Sequence, residues 1–290
     1  MVHVFRLSML PFARPYLAAS CGRVPKIHLD LDDVESITHR RLGELYRLNG
    51  NAALARLAER EAQRYEALED EVLRECDRVY VCSAEDRERL RHRSSRDVCI
   101  LPNAVRVPAS VGLKPRGDPF TFLFVGTLGY YPNEDGLRYF CSCVLPLIRQ
   151  MAPRAFNVTI VGTGATDGIQ RLTHEPEVRL VGAVPDVAPY YRDADAVVVP
   201  VRAGGGTRIK VLEAFSYRRP VVSTSIGIEG IDAHDAEHVL VTDTADAFAE
   251  QCVRLMRDAA LAERLTENAL SLVKRAYSLE AVARTVAAFP

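Results

Sequence analysis

The chain has 290 residues, of which 48% are hydrophobic and 26% are charged, as in ordinary globular proteins with about two domains. Its 37 basic and 38 acidic residues give a net charge of -1, which excludes a general electrostatic attraction for nucleic acid. No stretch approaches the roughly 18 apolar residues of a membrane-spanning helix, so none is predicted.

The first 21 residues loosely imitate a signal peptide, because they are partly apolar and end in Leu-Ala-Ala-Ser-Cys. Pro11, Arg14 and Pro15 interrupt any apolar core, which argues against such a leader. We therefore expect this segment to be part of the fold. No strand is predicted before residue 24.

Three strands are predicted in the first third of the chain, at Lys26–Leu31, Arg78–Cys82 and Val98–Leu101. A long, charged helical region separates the first two and runs from Val34 to Cys76, with a break near residues 49–51. Prolines and glycines are frequent between residues 102 and 117, which favours a linker and places a domain boundary near residue 110.

From residue 119 onward, short apolar runs alternate with helical patterns, which predicts a parallel sheet covered by helices on both faces. The predicted strands are Phe120–Val125, Asn157–Val161, Val178–Val181, Ala196–Val199, Pro220–Ser223 and Val239–Thr242. Glycine turns follow three of them, at Gly126, Gly162 and Gly204–Gly206. These turns should cluster at the edge where such sheets bind ligands.

The most informative motif spans residues 200–214 and joins a glycine-rich turn to a helix predicted at residues 208–217. Thr207 is placed to cap this helix, and the free N–H groups of a helix start attract anions. Arg208 and Lys210 add positive charge, whereas Glu213 suits a hydroxyl donor. The motif therefore fits a diphosphate joined to a sugar. The alternative is a solvated helix start in which Arg208 or Lys210 pairs with Glu213 at the surface.

Further motifs accompany it along the chain. They are Asp30-Leu-Asp-Asp-Val-Glu-Ser36, Pro102-Asn-Ala104, Phe124-Val-Gly-Thr-Leu128, Asn133, Ile160-Val-Gly-Thr-Gly164, Val181-Gly-Ala-Val-Pro-Asp186 and Arg219-Pro-Val-Val-Ser-Thr224. With Gly-Gly-Gly-Thr-Arg-x-Lys-x-Leu-Glu at residues 204–213, they resemble the retaining glycosyltransferases of family 4, in the branch with this glycine-rich version. The resemblance implies an α/β fold of the GT-B type, in which two Rossmann-like domains face each other across a cleft.

The same resemblance implies a role for each domain. Residues 1–110 are expected to form a partial, acceptor-side N-terminal domain, truncated because only three strands are predicted in it. Residues 111–290 are expected to form the C-terminal domain that binds the nucleotide sugar. The last helix is expected to pack back on the N-terminal domain.

The resemblance also implies a set of donor-binding residues, namely Gly126, Thr127, Gly205, Gly206, Thr207, Arg208, Lys210 and Glu213. Glu213 matches the acid expected to hold the ribose hydroxyls, whereas Gly205 stands where the family has an acid for the donor sugar. The family's arginine is missing after Gly126, so Arg208 and Lys210 are expected to replace it. We expect no metal and no cofactor, since the nucleotide-diphosphate sugar is a co-substrate and the two cations supply the positive charge.

Arg208 and Lys210 are also the expected catalytic groups, because preorganised cations stabilise the charge that develops on the leaving diphosphate. Asp32 is the third expected catalytic residue and could orient an acceptor hydroxyl. Capping of the helix that begins near Val34 is the alternative explanation for the aspartates at positions 30, 32 and 33. Glu229 follows a strand near the cleft and is expected either to contact the sugar or to form a turn.

The expected function is transfer of a sugar from a nucleotide-diphosphate sugar to a glycan or lipid-linked acceptor, with retention of configuration. The alternative is a truncated, non-catalytic remnant that binds nucleotide sugars. A nucleotide-sugar epimerase is a third hypothesis, and it would need acid and base groups in the N-terminal half. The seven scattered cysteines favour a reducing, cytoplasmic compartment. Peripheral contact with the inner face of the membrane stays open.

Overall fold

The computed structural model describes residues 1–17, 25–94, 97–111 and 118–289. In the first part of the chain, these residues form a four-stranded parallel sheet with strands in sequence order. The strands are β1 (Val2–Phe5), β2 (Ile27–Asp30), β3 (Arg78–Val81) and β4 (Val98–Ile100). The helices are α1 (Leu10–Leu17), α2 (Glu35–Leu48), α3 (Ala52–Glu75) and α4 (Ala84–Arg91).

Strand β1 corrects the prediction that no strand precedes residue 24. It pairs with β2 along all four of its residues, and Val4, Leu7 and Leu10 are buried in the core of this sheet. The strand has only four residues, of which one is buried, so it gives a weak sequence signal. Residues 1–17 are part of the fold, as predicted, whereas Cys21 lies outside the described residues.

The long helical region is confirmed, with its break at the predicted place between α2 and α3. The side chain of Asn51 caps α3 by accepting a hydrogen bond of 3.1 Å from the N–H of Leu54. The two helices pack against each other, and α2 leads from the first sheet toward the second. Among the described residues, no helix is both long enough and apolar enough to cross a membrane.

The second part of the chain forms a six-stranded parallel sheet with the order β10-β9-β8-β5-β6-β7. Its strands are β5 (Phe120–Val125), β6 (Phe156–Val161), β7 (Val178–Gly182), β8 (Ala196–Val199), β9 (Val221–Ser223) and β10 (Leu240–Val241). Its helices are α5 (Tyr131–Tyr139), α6 (Leu145–Met151), α7 (Asp167–Arg171), α8 (Ala188–Asp193), α9 (Ile209–Ser216), α10 (Ser225–Ile228), α11 (Ala245–Arg257), α12 (Ala259–Leu272) and α13 (Leu279–Ala287).

This sheet is covered on both faces, as the alternating pattern predicts. Phe122 of β5 packs with Phe248 of α11 in one buried cluster, and the neighbouring Leu123 packs with Phe215 of α9 in another. Successive residues of a strand point to opposite faces, so the two clusters lie on opposite sides of the sheet. The prediction of a parallel α/β sheet is therefore confirmed.

The order of the strands reverses between β5 and β8, which lie side by side at the centre of the sheet. Gly126 follows β5, and Gly204–Gly206 follow β8, so both glycine turns meet at this reversal. The N–H of Leu128 donates a hydrogen bond of 2.7 Å to the carbonyl of Thr163, which joins the turns after β5 and β6. The predicted clustering of the glycine turns is thus confirmed, at the place where open α/β sheets bind ligands.

The end of the chain returns to the first sheet. Phe289, just after α13, lies against Tyr80 of β3, with the two ring centroids 5.2 Å apart. The N–H of Val105 donates a hydrogen bond of 2.8 Å to the carbonyl of Tyr277, which ties the segment after β4 to the second sheet. Residues 112–117 of the predicted linker lie outside the described residues, and the boundary near residue 110 stays a prediction.

The start of α2 is fixed by a buried carboxylate on α3. Glu69 is 0% exposed and accepts hydrogen bonds from the N–H and the hydroxyl of Ser36, at 2.9 and 2.6 Å. It also pairs with Arg93 at 2.9 Å. These charged hydrogen bonds replace an N-cap, since no side chain caps α2 at Val34.

Replacing Glu69 with alanine leaves Arg93 and the start of α2 without their shared acceptor inside the core. We expect Glu69→Ala to lower the free energy of unfolding by about 3 kcal/mol. Glu66→Ala, on the same helix, is the control, because its exposed pair with Arg40 should contribute less than about 1 kcal/mol. Urea denaturation followed by circular dichroism compares the two variants, and equal losses would contradict the assignment.

Candidate functional site

A cleft with two connected chambers lies between the two sheets. The larger chamber has a volume of about 600 Å³, and the smaller one has a volume of about 420 Å³. Both are lined by Arg6, Thr127, Asn133 and Thr207, so they are parts of one cleft. These volumes fall in the range of small-molecule binding sites.

Every predicted site residue lines this cleft. The larger chamber is lined by Asp32, Thr127, Gly205, Gly206 and Thr207, and the smaller one by Gly126, Thr127, Thr207, Arg208, Lys210 and Glu213. Residues that are far apart in the sequence therefore converge at the carboxyl ends of β2, β5 and β8. Within the described part of the chain, no group of three His, Cys, Asp or Glu side chains could hold a metal ion.

The start of α9 differs from the prediction. The helix begins at Ile209, and Arg208 precedes it without a side-chain cap. The Thr207 hydroxyl is buried and has no hydrogen-bond partner in the described structure, so the prediction that it caps the helix is wrong. The reason is a tight turn, in which the N–H of Ile209 donates to the Thr207 carbonyl at 3.0 Å. Thr207 therefore offers its hydroxyl to the cleft rather than to the helix.

Lys210 is held in the smaller chamber by uncharged groups. Its Nζ donates a hydrogen bond of 2.7 Å to the Oδ1 of Asn133 and lies 4.4 Å from the ring centroid of Phe124. Gly126 leaves room for it, because a Cβ at that position would stand 2.8 Å from Nζ. Burial, and then the charge of Arg208, lowers the pKa of Lys210 to about 7.

Arg208 braces the glycine turn from which it emerges. Its guanidinium donates hydrogen bonds to the carbonyls of Gly205 and Ala203, while its Nε is buried without a partner in the described structure. Burial lowers the pKa of Arg208. Neither Arg208 nor Lys210 forms an ion pair with a carboxylate among the described residues, so the predicted alternative of a surface pair with Glu213 is wrong.

Glu213 is fixed from the side of the second sheet. Its Oε2 accepts a hydrogen bond of 2.9 Å from the hydroxyl of Tyr191, whose buried ring stacks on Tyr217 at 5.2 Å. Burial raises the pKa of Glu213, while the bond from Tyr191 and the charge of Lys210 act in the opposite direction. Glu213 thus presents an oriented carboxylate at the smaller chamber.

The turn after β2 carries Asp32 into the larger chamber in an unusual backbone conformation. Asp32 has a φ of 60°, and the N–H of Asp33 donates a hydrogen bond of 2.6 Å to the carbonyl of Leu31. The Asp32 carboxylate accepts hydrogen bonds from Arg6 at 2.9 Å and from Asn103 at 3.2 Å. Neither Asp32 nor Asp33 caps α2, so the capping explanation for these aspartates is wrong.

Asp33 projects from this turn against the glycine turn after β8. Its Oδ2 accepts a hydrogen bond of 2.7 Å from Thr38, and its Oδ1 is buried without a partner in the described structure. A Cβ at Gly205 would stand 2.1 Å from this Oδ1 and 2.2 Å from the Thr38 hydroxyl. Glycine at position 205, where the family resemblance leads one to expect an acid, therefore makes room for a carboxylate from the opposite sheet. Burial raises the pKa of Asp33 to about 6.

Glu229 lies in the turn after α10, as one of the two predictions expects, and its side chain makes contacts that neither prediction includes. It accepts hydrogen bonds from Arg41 of α2 at 2.7 and 3.0 Å, and it pairs with Arg89 of α4 at 2.7 Å. Arg41 also donates a hydrogen bond of 2.9 Å to the carbonyl of Gly204. Burial alone would raise the pKa of Glu229, but the two arginines outweigh it and lower the pKa. Glu229 joins the two halves of the molecule beside the cleft.

The family comparison and the fold agree on the second half of the chain. Residues 119–258 match the family described as glycosyl transferases group 1. This segment is similar to group 1 glycosyl transferase domains. An uncharacterized 44.6 kDa protein in the cps region of Klebsiella pneumoniae is 25% identical over 170 residues, which are 55% of this chain and 43% of that protein.

Solved glycosyltransferase structures superimpose on nearly the whole chain. Sucrose-phosphate synthase from Thermosynechococcus elongatus has a TM-score of 0.71 at 18% identity, covering 98% of this chain and 71% of its own. HepE from Anabaena, in complex with UDP and glucose, has a TM-score of 0.69 at 13% identity, covering 99% and 78%. TarM from S. aureus, in complex with fondaparinux, α-GlcNAc-glycerol and UDP, has a TM-score of 0.68 at 14% identity, covering 96% and 53%. The fold is that of the GT-B glycosyltransferases, and the chain spans about half the length of TarM and of the Klebsiella relative.

Several residues that line the cleft are not among the predicted site residues, and three of them are Arg6, Tyr130 and Asp33. Arg6 lies in a segment without a recognisable pattern, and Tyr130 stands in an unremarkable loop. Asp33 belongs to the predicted cluster of aspartates, but the sequence gives no reason to choose it over its neighbour Asp32 as a site residue. The positive φ of Asp32 decides which carboxylate meets Gly205, and a single sequence gives no signal for it.

The carboxylate of Asp33, whose buried Oδ1 has no hydrogen-bond partner in the described structure, should lower the stability of the folded chain. Folding raises the pKa of Asp33 to about 6, so Asp33 is destabilising above that pH, where it is charged. The effect disappears as the pH falls from about 6 to the ordinary pKa of an aspartate, which is 3.8. We expect Asp33→Asn to raise the free energy of unfolding near neutral pH by about 1–3 kcal/mol. Urea denaturation at several pH values tests this, with Glu44→Gln on the exposed face of α2 as the control. A gain that stays the same at low pH would contradict the assignment.

Proposed function

We propose that this protein is a glycosyltransferase that uses a nucleotide-diphosphate sugar and transfers the sugar, with retention of configuration, to a glycan or lipid-linked acceptor. The observation that carries the proposal is the convergence of Arg208, Lys210, Glu213 and the glycine turn after β5 on one chamber. Two cations without carboxylate partners suit a diphosphate, and an oriented carboxylate beside them suits hydroxyls. The matching family and the GT-B fold support the same conclusion.

The diphosphate fits the smaller chamber, between Lys210 and the turn after β5. Asn133 orients Lys210 by accepting its hydrogen bond, and its own Nδ2 donates a hydrogen bond of 2.8 Å to the carbonyl of Thr127. The buried hydroxyl of Thr207 and the Nε of Arg208 are donors that still need an acceptor. Phosphate oxygens would satisfy both groups, because unmet buried donors are costly.

These groups would also act on the reaction. When the bond between the sugar and the diphosphate breaks, negative charge develops on the leaving oxygen. Arg208 and Lys210 are already fixed beside the glycine turn, so they stabilise this charge without rearrangement. Glu213, held by Tyr191, is suited to the ribose hydroxyls. Asp32 lines the larger chamber, where an acceptor hydroxyl can approach it.

The acceptor is proposed to enter the larger chamber from the side of the first sheet. The acidic lining of this chamber suits an acceptor that has hydroxyl groups. From the sequence, we also propose a cytoplasmic location and peripheral contact with a membrane. The non-catalytic alternative predicts binding of the nucleotide sugar without turnover. Release of UDP from a UDP-sugar, measured by a coupled assay, separates the two functions.

The donor site is tested by calorimetry with UDP, GDP and ADP sugars. Arg208→Ala and Glu213→Ala are each expected to weaken binding of the preferred donor by about 10-fold or more, the size of a hydrogen bond to a charged group. Arg192→Ala is the control, because Arg192 is exposed on α8 outside the cleft. If either cleft variant binds the donor as tightly as the unmodified protein, the role of that residue is wrong.

Lys210 makes diphosphate binding dependent on pH. Its pKa is about 7, and a bound diphosphate must raise that pKa because it favours the charged ammonium. Affinity for UDP should therefore fall as the pH rises above 7, by about 10-fold over two pH units. Lys210→Gln should bind UDP weakly and with little change over the same range. An affinity of the unmodified protein that does not change between pH 7 and pH 9 would refute the assignment.

A further inference from the structure

Arg6 lies where the two chambers of the cleft meet. It follows β1, on the sheet opposite Arg208 and Lys210, and it lines both the larger and the smaller chamber. The smaller chamber contains the two cations suited to a diphosphate, and the larger one contains carboxylates. A group bound by Arg6 is therefore also within the part of the cleft lined by Arg208 and Lys210.

The backbone of Arg6 is held in a conformation that side chains rarely adopt. Its φ is 69° and its ψ is 145°, and its N–H donates a hydrogen bond of 2.8 Å to the carbonyl of Asp30. Such a conformation costs about 1–3 kcal/mol in a residue other than glycine, and it persists where the surrounding structure enforces it. Strained residues of this kind are concentrated at ligand sites. Here the strain brings a cation to the edge of the cleft.

The guanidinium of Arg6 is oriented but still accessible. Its Nε and Nη2 donate hydrogen bonds to the Oδ2 of Asp32, at 3.2 and 2.9 Å, and it lies 5.3 Å from the ring centroid of Phe5. The side chain remains 58% exposed. A guanidinium has five N–H donors, so the pair with Asp32 leaves others for a ligand in the cleft.

We propose that Arg6 binds the diphosphate of the nucleotide sugar from the side opposite Arg208 and Lys210. The inference rests on the proposed function and adds a third cation, supplied by the first sheet, to the donor site. A planar guanidinium matches two phosphate oxygens, which a lysine or a backbone N–H cannot do alone. In this arrangement Asp32 is a positioning residue, because its carboxylate fixes the direction of the Arg6 fork.

A phosphate on the acceptor is the other ligand that Arg6 could bind. The diphosphate is favoured because Arg6 shares the smaller chamber with both Arg208 and Lys210, and neither of these two cations forms an ion pair with a carboxylate among the described residues. Three positive groups around one chamber call for a ligand with more than one negative charge. A nucleoside monophosphate has only one phosphate group, so we expect it to contact fewer of these three cations than a diphosphate does.

The experiment compares UDP with UMP by calorimetry, since UDP is the nucleotide present in the TarM and HepE structures. We expect Arg6→Gln to weaken UDP binding by about 10-fold, the loss expected for a charged hydrogen bond, and to change UMP binding by less than about twofold. Arg6→Lys should recover part of the UDP affinity. Arg14→Gln is a matched control, because Arg14 belongs to the same segment, is 54% exposed and pairs with Glu71 at 2.7 Å outside the cleft.

Three other outcomes are informative, because two of them refute the role of Arg6 and the third refutes the proposed function. Unchanged UDP affinity in Arg6→Gln would overturn this inference alone and assign Arg6 to the acceptor side. Equal losses for UDP and UMP would also overturn it, because a general disturbance of the site affects both nucleotides. If the unmodified protein binds none of UDP, GDP and ADP, the proposed function fails, and the inference fails with it.

Discussion

The burial of charged groups that form no ion pair is the constraint on which the cleft depends. Arg208, Lys210 and Asp33 are all largely buried beside the turn after β8, and none of them forms an ion pair among the described residues. Such burial disfavours the charged form of each group, so it lowers the pKa values of Arg208 and Lys210 and raises the pKa of Asp33. The rest of the fold compensates by holding each group with hydrogen bonds to uncharged partners. Lys210 donates to the amide oxygen of Asn133, Arg208 donates to backbone carbonyls, and Asp33 accepts from the hydroxyl of Thr38. The cleft is therefore preorganised at a cost in stability, which is typical of functional sites.

The two sheets contribute to this site in different ways. The second sheet supplies the reversal of strand order, the glycine turns and α9, an arrangement that suits an anionic ligand. The first sheet supplies side chains that approach from across the cleft, above all Arg6, Asp33 and Arg41. The contact of Arg41 with both Glu229 and the Gly204 carbonyl fixes the distance between the sheets at the place where the ligand is proposed to bind.

The sequence predicts the second sheet well and the first sheet less well, for physical reasons. Strands β5 to β10 are apolar runs between clear helical patterns, and their parallel arrangement follows from that alternation. Strand β1 has four residues and one buried side chain, so its pattern is too weak to distinguish from a loop. The residues of the glycine turn could be predicted because helix starts and cations have local signatures. Arg6 could not, since its position depends on pairing between β1 and β2 across more than twenty residues of chain. The cap at Thr207 is wrong because a turn within the backbone takes the N–H of Ile209.

The contact between Asp33 and Gly205 couples two positions that lie far apart in the chain. A Cβ at position 205 would stand 2.1 Å from the Asp33 Oδ1 and 2.2 Å from the Thr38 hydroxyl, so a side chain there requires both groups to move. An acid at position 205 would also place a second carboxylate beside that of Asp33. Substitutions at the two positions are therefore expected to be non-additive, and a smaller residue at position 33 should make a side chain at position 205 less unfavourable. Glycine at position 205 of the motif is therefore matched to Asp33 and Thr38 on the side of the first sheet.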